Sequence, residues 1–570
     1  MKYFFQTLEA YGKLGFKPRD NQVEYVSEIV TAFLDEGYQN LILNAPTGTG
    51  KSIIAAVAAE VIKKIRDPYT DPCASFILMG TNVLAKQYAD TFDKHEDFTL
   101  IKGANNYKCT ALTDEASGVI ENAESCAIQL FKENNMDDVI REHCWNCKYR
   151  LERERKNLAR QLITNYSYFF VDRMYADTLE KRDITIWDEA HTLNDVFTEH
   201  NAIYFSVKRL KAINEEISES LDLTDPTPFN TFKKISADLK AKKVNDGNYI
   251  QYATALQQAY STISKQAKAK ADSAIKSFSK YKKLSKLYKK YQGLSCKIDD
   301  LLLYKYEHVF EFDEKEESVS IKPIFVGTMF EKLVHSEFNL FMSATVSERF
   351  LLETLLLDPA KTKFVKLPAT FPTENKKIVF LSPINLNYKS LQEDSTKKQL
   401  NASVEKIILK HAGLKESGII LTPSFVLTES IASAISKHDS KIKIFEHVKG
   451  EKLEVILSKF KAYNKPAVLI SPSLFEGIDL PGAMSRFQIL VKAPFPSLAE
   501  KRMKFILEKH PEIYNLTVLM RIIQGAGRSV RSKDDWCITY ALDQSIVRLW
   551  NSPQNVWKDE FSVNFSQFLM

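Results

Sequence analysis

The stretch Ala45-Pro46-Thr47-Gly48-Thr49-Gly50-Lys51-Ser52 constrains this chain more than any other feature. It follows the apolar run Leu41-Ile42-Leu43 and precedes a helix-like run from Ile53 to Ile62, so it joins a buried strand to a helix start. That is the setting a phosphate-binding loop requires. Gly48 and Gly50 let consecutive backbone N–H groups point at one anion, with Thr47 and Thr49 between and beside them. The helix N-terminus that follows adds its partial positive charge. Lys51 is expected to reach the β- and γ-phosphates, and the Ser52 hydroxyl to hold Mg²⁺. Ala45 stands at the first position, where glycine is usual. A glycine-rich turn with a chance Gly-Lys-Ser is the plainer alternative, and the strand–loop–helix context argues against it.

A second signal specifies hydrolysis. Asp183 to Trp187 reads as a short strand, and Asp188-Glu189-Ala190-His191 follows at its end. Asp188 is expected to hold Mg²⁺ and Glu189 to accept a proton from the attacking water. Taken alone, such a tetrad could be a helix start with first-turn carboxylates. Beside a phosphate loop, it points to ATP cleavage.

Further ordered segments lie in the C-terminal half. Leu340-Phe341-Met342 leads into Ser343-Ala344-Thr345, and Gly418 to Phe425 reads as a strand ending in small polar residues. Ala467 to Ile470 precedes Phe475-Glu476-Gly477-Ile478-Asp479-Leu480-Pro481-Gly482, and Gln524-Gly525-Ala526-Gly527-Arg528-Ser529-Val530-Arg531 comes near the end. Arg528 and Arg531, three apart, are expected to share a helix face. A planar cation at the γ-phosphate stabilises charge in the transition state. Gly525, Ala526 and Gly527 would permit close approach of backbone and ligand.

Four of the seven cysteines cluster: Cys109, Cys126, Cys144 and Cys147, the last two as Cys-x-x-Cys. On spacing alone, four thiolates suit Zn²⁺ or an iron–sulfur cluster equally. A redox Cys-x-x-Cys would leave two nearby cysteines idle. Cys73, Cys296 and Cys537 stand apart and read as ordinary thiols.

In order, the chain shows Arg19 and Gln22 of a Q-like motif, the phosphate loop, Thr81-Asn82 with Gln87, Asp-Glu-Ala-His, Ser-Ala-Thr, the Glu476–Gly482 segment and the Gln524–Arg531 segment. This set resembles superfamily 2 helicases. Lys102 to Cys109, Thr164-Asn165-Tyr166 and Phe371-Pro372-x-x-Asn375 resemble segments of the XPD/DinG branch. The resemblance implies an α/β fold of two RecA-like parallel-sheet motor domains, with ATP completed by Gln524, Arg528 and Arg531. Arg19, Gln22, Glu476 and Asp479 join the nucleotide site in that picture. It also implies a [4Fe–4S] cluster on the four cysteines and 5′→3′ movement on single-stranded and forked DNA. A nucleic-acid-dependent ATPase or RNA helicase with structural zinc is the competing reading.

The length of 570 residues requires several domains, and no run is apolar enough for a membrane helix. Met1-Lys2-Tyr3-Phe4-Phe5 is soon interrupted by charge and makes a poor signal peptide, so a cytoplasmic protein is expected: nucleoid-associated in a bacterium, in the host cytoplasm if viral. The resemblance to such motors implies a monomer. The expected organisation is motor 1 over 1–100, a cysteine module over 101–155, motor 1 again over 156–201, an Arch-like helical insertion over 202–322, the end of motor 1 over 323–371 and motor 2 over 372–570. From Lys265 to Lys297 lysines abound and Asp272 is the one acid. Ala274, Phe278, Tyr281, Tyr288 and Tyr291 recur there as one stripe of a single helix. A solvated face and an electrostatic contact with nucleic-acid phosphates are equally weighted readings of the lysines, and the tyrosines read as packing residues.

Overall fold

A computed structural model describes residues 2–19, 21–46, 48–66, 74–109, 122–123, 126, 135, 137–274, 278–303, 308–334, 336–436, 442–475, 480, 482–530, 532–552, 560–561 and 564–567. Thr47, Glu476, Asp479 and Arg531 lie outside the described residues.

Short apolar runs become strands buried on both faces, the pattern of parallel α/β sheets. Strands β1 (Asn40–Asn44), β2 (Ser75–Met79), β3 (Phe98–Leu100), β4 (Gln161–Asn165), β5 (Ile184–Asp188), β9 (Phe338–Ser343) and β10 (Thr362–Lys366) form one sheet in the order β10-β1-β9-β5-β2-β4-β3. Strands β2, β4 and β5 pair in parallel. A second seven-stranded sheet holds β11 (Lys376–Ile384), β12 (Gly418–Leu421), β13 (Lys443–Glu446), β14 (Ala467–Ser471), β15 (Phe487–Leu490), β16 (Cys537–Asp543) and β17 (Asn564–Gln567), ordered β13-β14-β12-β15-β16-β11-β17. All its pairings are parallel.

By packing, the chain divides into two units. One comprises Met1–Leu41, Ile54–Phe341 and Leu352–Lys363; the other comprises Ile42–Ile53, Met342–Leu351 and Phe364–Met570.

Between β5 and β9 lies an insertion with its own core. Strands β6 (Ile203–Ser206), β7 (His308–Asp313) and β8 (Ser318–Pro323) make an antiparallel sheet in the order β6-β8-β7. Helices Val207–Ser220, Thr227–Lys240, Tyr249–Ser273 and Phe278–Leu303 complete it. The last two pack antiparallel, with Tyr260 against Tyr291 at 5.8 Å and Gln257 bonded to Ser295 at 3.4 Å.

This corrects the expectation of one lysine-rich helix. The chain leaves the helical path at Ala274, which caps the first helix, so the five-residue stripe is split between two elements. Period alone does not register a break when a second helix resumes in similar phase. Tyr291 is fully buried and donates to Glu216 at 2.6 Å, while Tyr281 and Tyr288 pack partly buried on the same core. Among the described residues, no helix is long and apolar enough to cross a membrane.

Candidate active site

The phosphate loop forms because its glycines adopt backbone conformations that side chains resist. Gly48 has φ +90° and Gly50 φ +78°. Between them Thr49 is buried, and its hydroxyl donates to the Pro46 carbonyl at 2.9 Å. Lys51 and Ser52 open the helix Lys51–Arg66. That helix is fixed further along. Glu60, 3% exposed, accepts from Arg160 at 2.7 Å, from Gln161 at 3.0 Å and from Lys13 at 2.9 Å. Lys63 pairs with Asp183, just before β5, at 3.2 Å. Buried charges so fully partnered hold position, because removing any partner leaves a desolvated ion.

The acidic tetrad ends β5, which only β9 separates from β1. Asp188 is buried and accepts from the Glu189 N–H at 3.0 Å. Glu189 sits at φ +54°, a left-handed turn that lifts the chain off the strand. Its side chain lies 3.4 Å from His191, and its carbonyl accepts from the Thr192 hydroxyl at 2.9 Å. The Tyr166 hydroxyl donates to the Asp188 carbonyl. Burial, and secondarily the Asp188 charge, push the Tyr88 and Tyr166 phenols far above their usual range, so both remain neutral donors.

Ser343-Ala344-Thr345 continues β9. The Ala45 N–H, first in the phosphate loop, donates to the Ser343 carbonyl at 2.9 Å, and the Thr345 N–H donates to the Ser343 hydroxyl at 3.2 Å. Gln22 begins the helix Gln22–Leu34, and its side chain accepts from the Arg19 N–H at 2.9 Å; Gln22 is buried and Arg19 exposed.

The arginine segment corrects a second expectation. The helix Pro511–Ala526 carries Gln524 in its last turn and ends at Ala526, with Gly527 as cap. Arg528 therefore lies beyond that helix rather than on a face of it. Gly527 ends the helix with its N–H on the Ile523 and Gln524 carbonyls. At Gly525 the close neighbours are protein side chains: an added Cβ would stand 2.9 Å from Leu421 and 3.1 Å from Phe475.

Arg528 donates to the Phe475 carbonyl, and its own carbonyl accepts from the Leu480 N–H at 3.2 Å. Phe475 and Leu480, on either side of Glu476–Asp479, are thus both tied to Arg528. Gly482 is held too, donating to Asp535 at 3.0 Å, while Asp535 pairs with Arg486 at 2.7 Å.

Sequence reasoning missed what supports this segment. Ser529 is fully buried, accepts from Gln488 and donates to Ser485 at 2.8 Å; Gln488 accepts from Thr539 at 3.2 Å. A serine between two arginines gives no local sign of such a network. It also missed Phe371, whose ring lies against Gly48; only its place in Phe-Pro-x-x-Asn hinted at a role.

The four clustered cysteines are all described, none in a disulfide. A bridge between Lys108 and Asn122, and the Ala123 N–H on the Tyr107 carbonyl at 2.9 Å, join the first two cysteine segments. The Cys147 N–H turns back onto the Cys144 carbonyl at 3.2 Å. Burial, then the neighbouring Cys147, Cys109 and Cys126, push the Cys144 thiol up to about 11. Cys147, Cys109 and Cys126 thus all lie near enough to influence Cys144, and four thiols are donor chemistry that Zn²⁺ or an iron–sulfur group takes. Among the described residues, no three His, Cys, Asp or Glu are drawn together tightly enough for a single metal ion.

The profile of the helicase C-terminal domain matches residues 408–559, and that of the type III restriction enzyme res subunit matches residues 15–224. An ATP-dependent DNA helicase, YoaA, of Haemophilus influenzae is 21% identical over 94% of this chain and 92% of its own. A probable ATP-dependent helicase of Methanocaldococcus jannaschii is 22% identical over 89% and 88% of the two chains. Among solved structures, an XPD helicase superposes with TM-score 0.60 at 15% identity, covering 97% of this chain and all of that one. Xpd4 of S. tokodaii gives 0.56 at 14% identity over 96% of this chain and all of its own. These similarities, with two α/β sheets and the ordered motifs at their strand ends, support an XPD/DinG-type superfamily 2 helicase.

Proposed function

We propose that this protein is an ATP-dependent DNA helicase that moves 5′→3′ along single-stranded DNA and opens forked duplex. One observation carries the reading: a phosphate loop after β1 and an acidic tetrad closing β5, in a single sheet. Similarity along nearly the whole chain to proteins named as ATP-dependent DNA helicases supports the substrate. The polarity rests on the family resemblance.

In this reading Lys51 and the loop N–H groups, Thr47 to Gly50, bind the triphosphate, with Arg19 and Gln22 on the nucleotide. Ser52 and Asp188 hold Mg²⁺, and Glu189 takes the proton from the attacking water. Gln524, Arg528 and Arg531 stabilise charge on the transferred phosphoryl group, and Glu476 and Asp479 serve the same site. The Ala45–Ser343 bond gives Ser343 and Thr345 a direct hold on the loop, suited to reporting its occupancy. Contacts to the DNA backbone make movement independent of sequence.

Cys109, Cys126, Cys144 and Cys147 would hold a [4Fe–4S] cluster that supplies the module with a local core. The 202–322 insertion is read as the Arch, and the protein as a monomer.

The test uses purified full-length protein, ATP, and matched DNA and RNA duplexes with single 5′ or 3′ tails. Opening of 5′-tailed DNA, lost in Lys51→Ala, is the expected result. Opening only of RNA, or hydrolysis retained in Lys51→Ala, would overturn the proposal.

A further inference from the structure

We propose that Phe371 is a positioning residue of the ATP reaction, the middle of a strap that couples the phosphate loop to the arginine segment. This rests on the ATPase reading above.

The strap runs from Leu367 to Asn375. At one end the Leu367 N–H donates to the Asn44 carbonyl at 2.9 Å, at the end of β1. At the other, the Asn375 amide donates to the Lys533 carbonyl at 2.9 Å, just past the arginines. Phe371 lies between these anchors. An added Cβ on Gly48 would stand 2.4 Å from its Cζ and 2.7 Å from its Cε2, so the ring lies on the bare face of the loop glycine. Phe371 is 8% exposed and clusters with Val530 and Cys537. Val530 sits between the two arginines of the segment. One side chain thus touches both halves of the proposed chemistry, and all of these residues pack in the same unit.

A packed contact of this kind transmits displacement, because close-packed interiors do not absorb shape change freely. Gly48 adopts φ +90°, so the loop cannot fill its own surface with a side chain there. The ring supplies that surface. Phosphate bound in the loop changes what the ring rests on, and Val530 moves with the ring. A cleft of about 470 Å³ along Thr370, Pro372, Thr373 and Lys533 gives the ring room to shift.

The experiment measures DNA-stimulated phosphate release and ATP affinity for wild type, Phe371→Ala, Phe371→Leu, Arg528→Ala and the Phe371→Ala/Arg528→Ala pair. Phe371→Ala is expected to lower kcat about tenfold, with the dissociation constant for ATP changed less than about threefold. Phe371→Leu, which keeps bulk, should fall between. In the Arg528→Ala background, Phe371→Ala should add less than about twofold, because it acts through the arginine segment. Should Phe371→Ala fail to fold, the leucine variant with and without Arg528→Ala makes the same comparison. A kcat within about twofold of wild type, or effects that multiply independently, overturns the strap. Failure of the underlying ATPase reading looks different: wild type itself would release no phosphate, or Lys51→Ala would release it normally.

Discussion

Replacing Ser529 with alanine should disarm the arginine segment without touching an arginine. The Ser529 hydroxyl is fully buried between Gln488 and Ser485, and Gln488 is itself bonded to Thr539. Alanine removes one acceptor and one donor. It leaves the Gln488 amide unsatisfied, while the Ser485 hydroxyl keeps the Phe487 carbonyl at 3.4 Å. One such orphaned group costs about 2 kcal/mol in a site without water. For a domain of this size that lowers the melting temperature of the second motor by roughly 4–8 °C. The domain should still fold, since that loss lies within the usual reserve. Arg528 adjoins Ser529 and receives its direction from this anchor, so kcat for DNA-stimulated ATP hydrolysis should fall about tenfold or more, with DNA affinity unchanged. Scanning calorimetry and a phosphate-release assay read the two effects. An unchanged transition with unchanged kcat would refute both the network and its positioning role.

Other expectations are as direct. Glu189→Gln keeps shape and removes the base, so kcat should fall about 10²–10⁴-fold while nucleotide still binds, as read by fluorescent nucleotide titration. Cys147→Ser should abolish the broad visible absorption near about 400 nm of anaerobically purified protein, the signature of an iron–sulfur group. Burial, and then Lys297, hold the His200 imidazole down at about 4, so it stays neutral in the fold. Between about pH 4 and 6.5 the unfolded chain binds the extra proton, so stability falls as pH falls through that window. His200→Gln should flatten this slope in denaturant titrations at a series of pH values. Tyr291→Phe strips a hydrogen bond from Glu216 and should cost the insertion about 2 kcal/mol, measured by urea unfolding.

The strand–turn–helix around Gly48 to Ser52 and the turn that closes β5 were legible because each is a local device. Glycines, a lysine and carboxylates act through the backbone geometry of a few consecutive residues, and apolar runs on either side mark the strands. Buried parallel strands were readable for the same reason. Contacts between distant segments were not. Phe371 and Gly48 are 323 positions apart, and nothing in either neighbourhood announces the other. Ser529 draws its partners from β15 and from Ser485, two residues before that strand, and no spacing rule links them to it. The arginine spacing suggested a helix face because three-residue intervals suit helices, but Gly527 ended the helix before Arg528. The lysine-rich stripe failed similarly at Ala274, where a tertiary hairpin overrode a period carried through the turn.

The central claim is that the lysine of one sheet and the arginines beyond the helix Pro511–Ala526 act on one triphosphate. Phosphate release with saturating single-stranded DNA, compared among wild type, Lys51→Ala and Arg528→Ala together with Arg531→Ala, tests it most directly. The account predicts that either change removes at least about 10²–10³-fold of the rate while DNA binding persists. Arginine variants that hydrolyse ATP at the wild-type rate would contradict it.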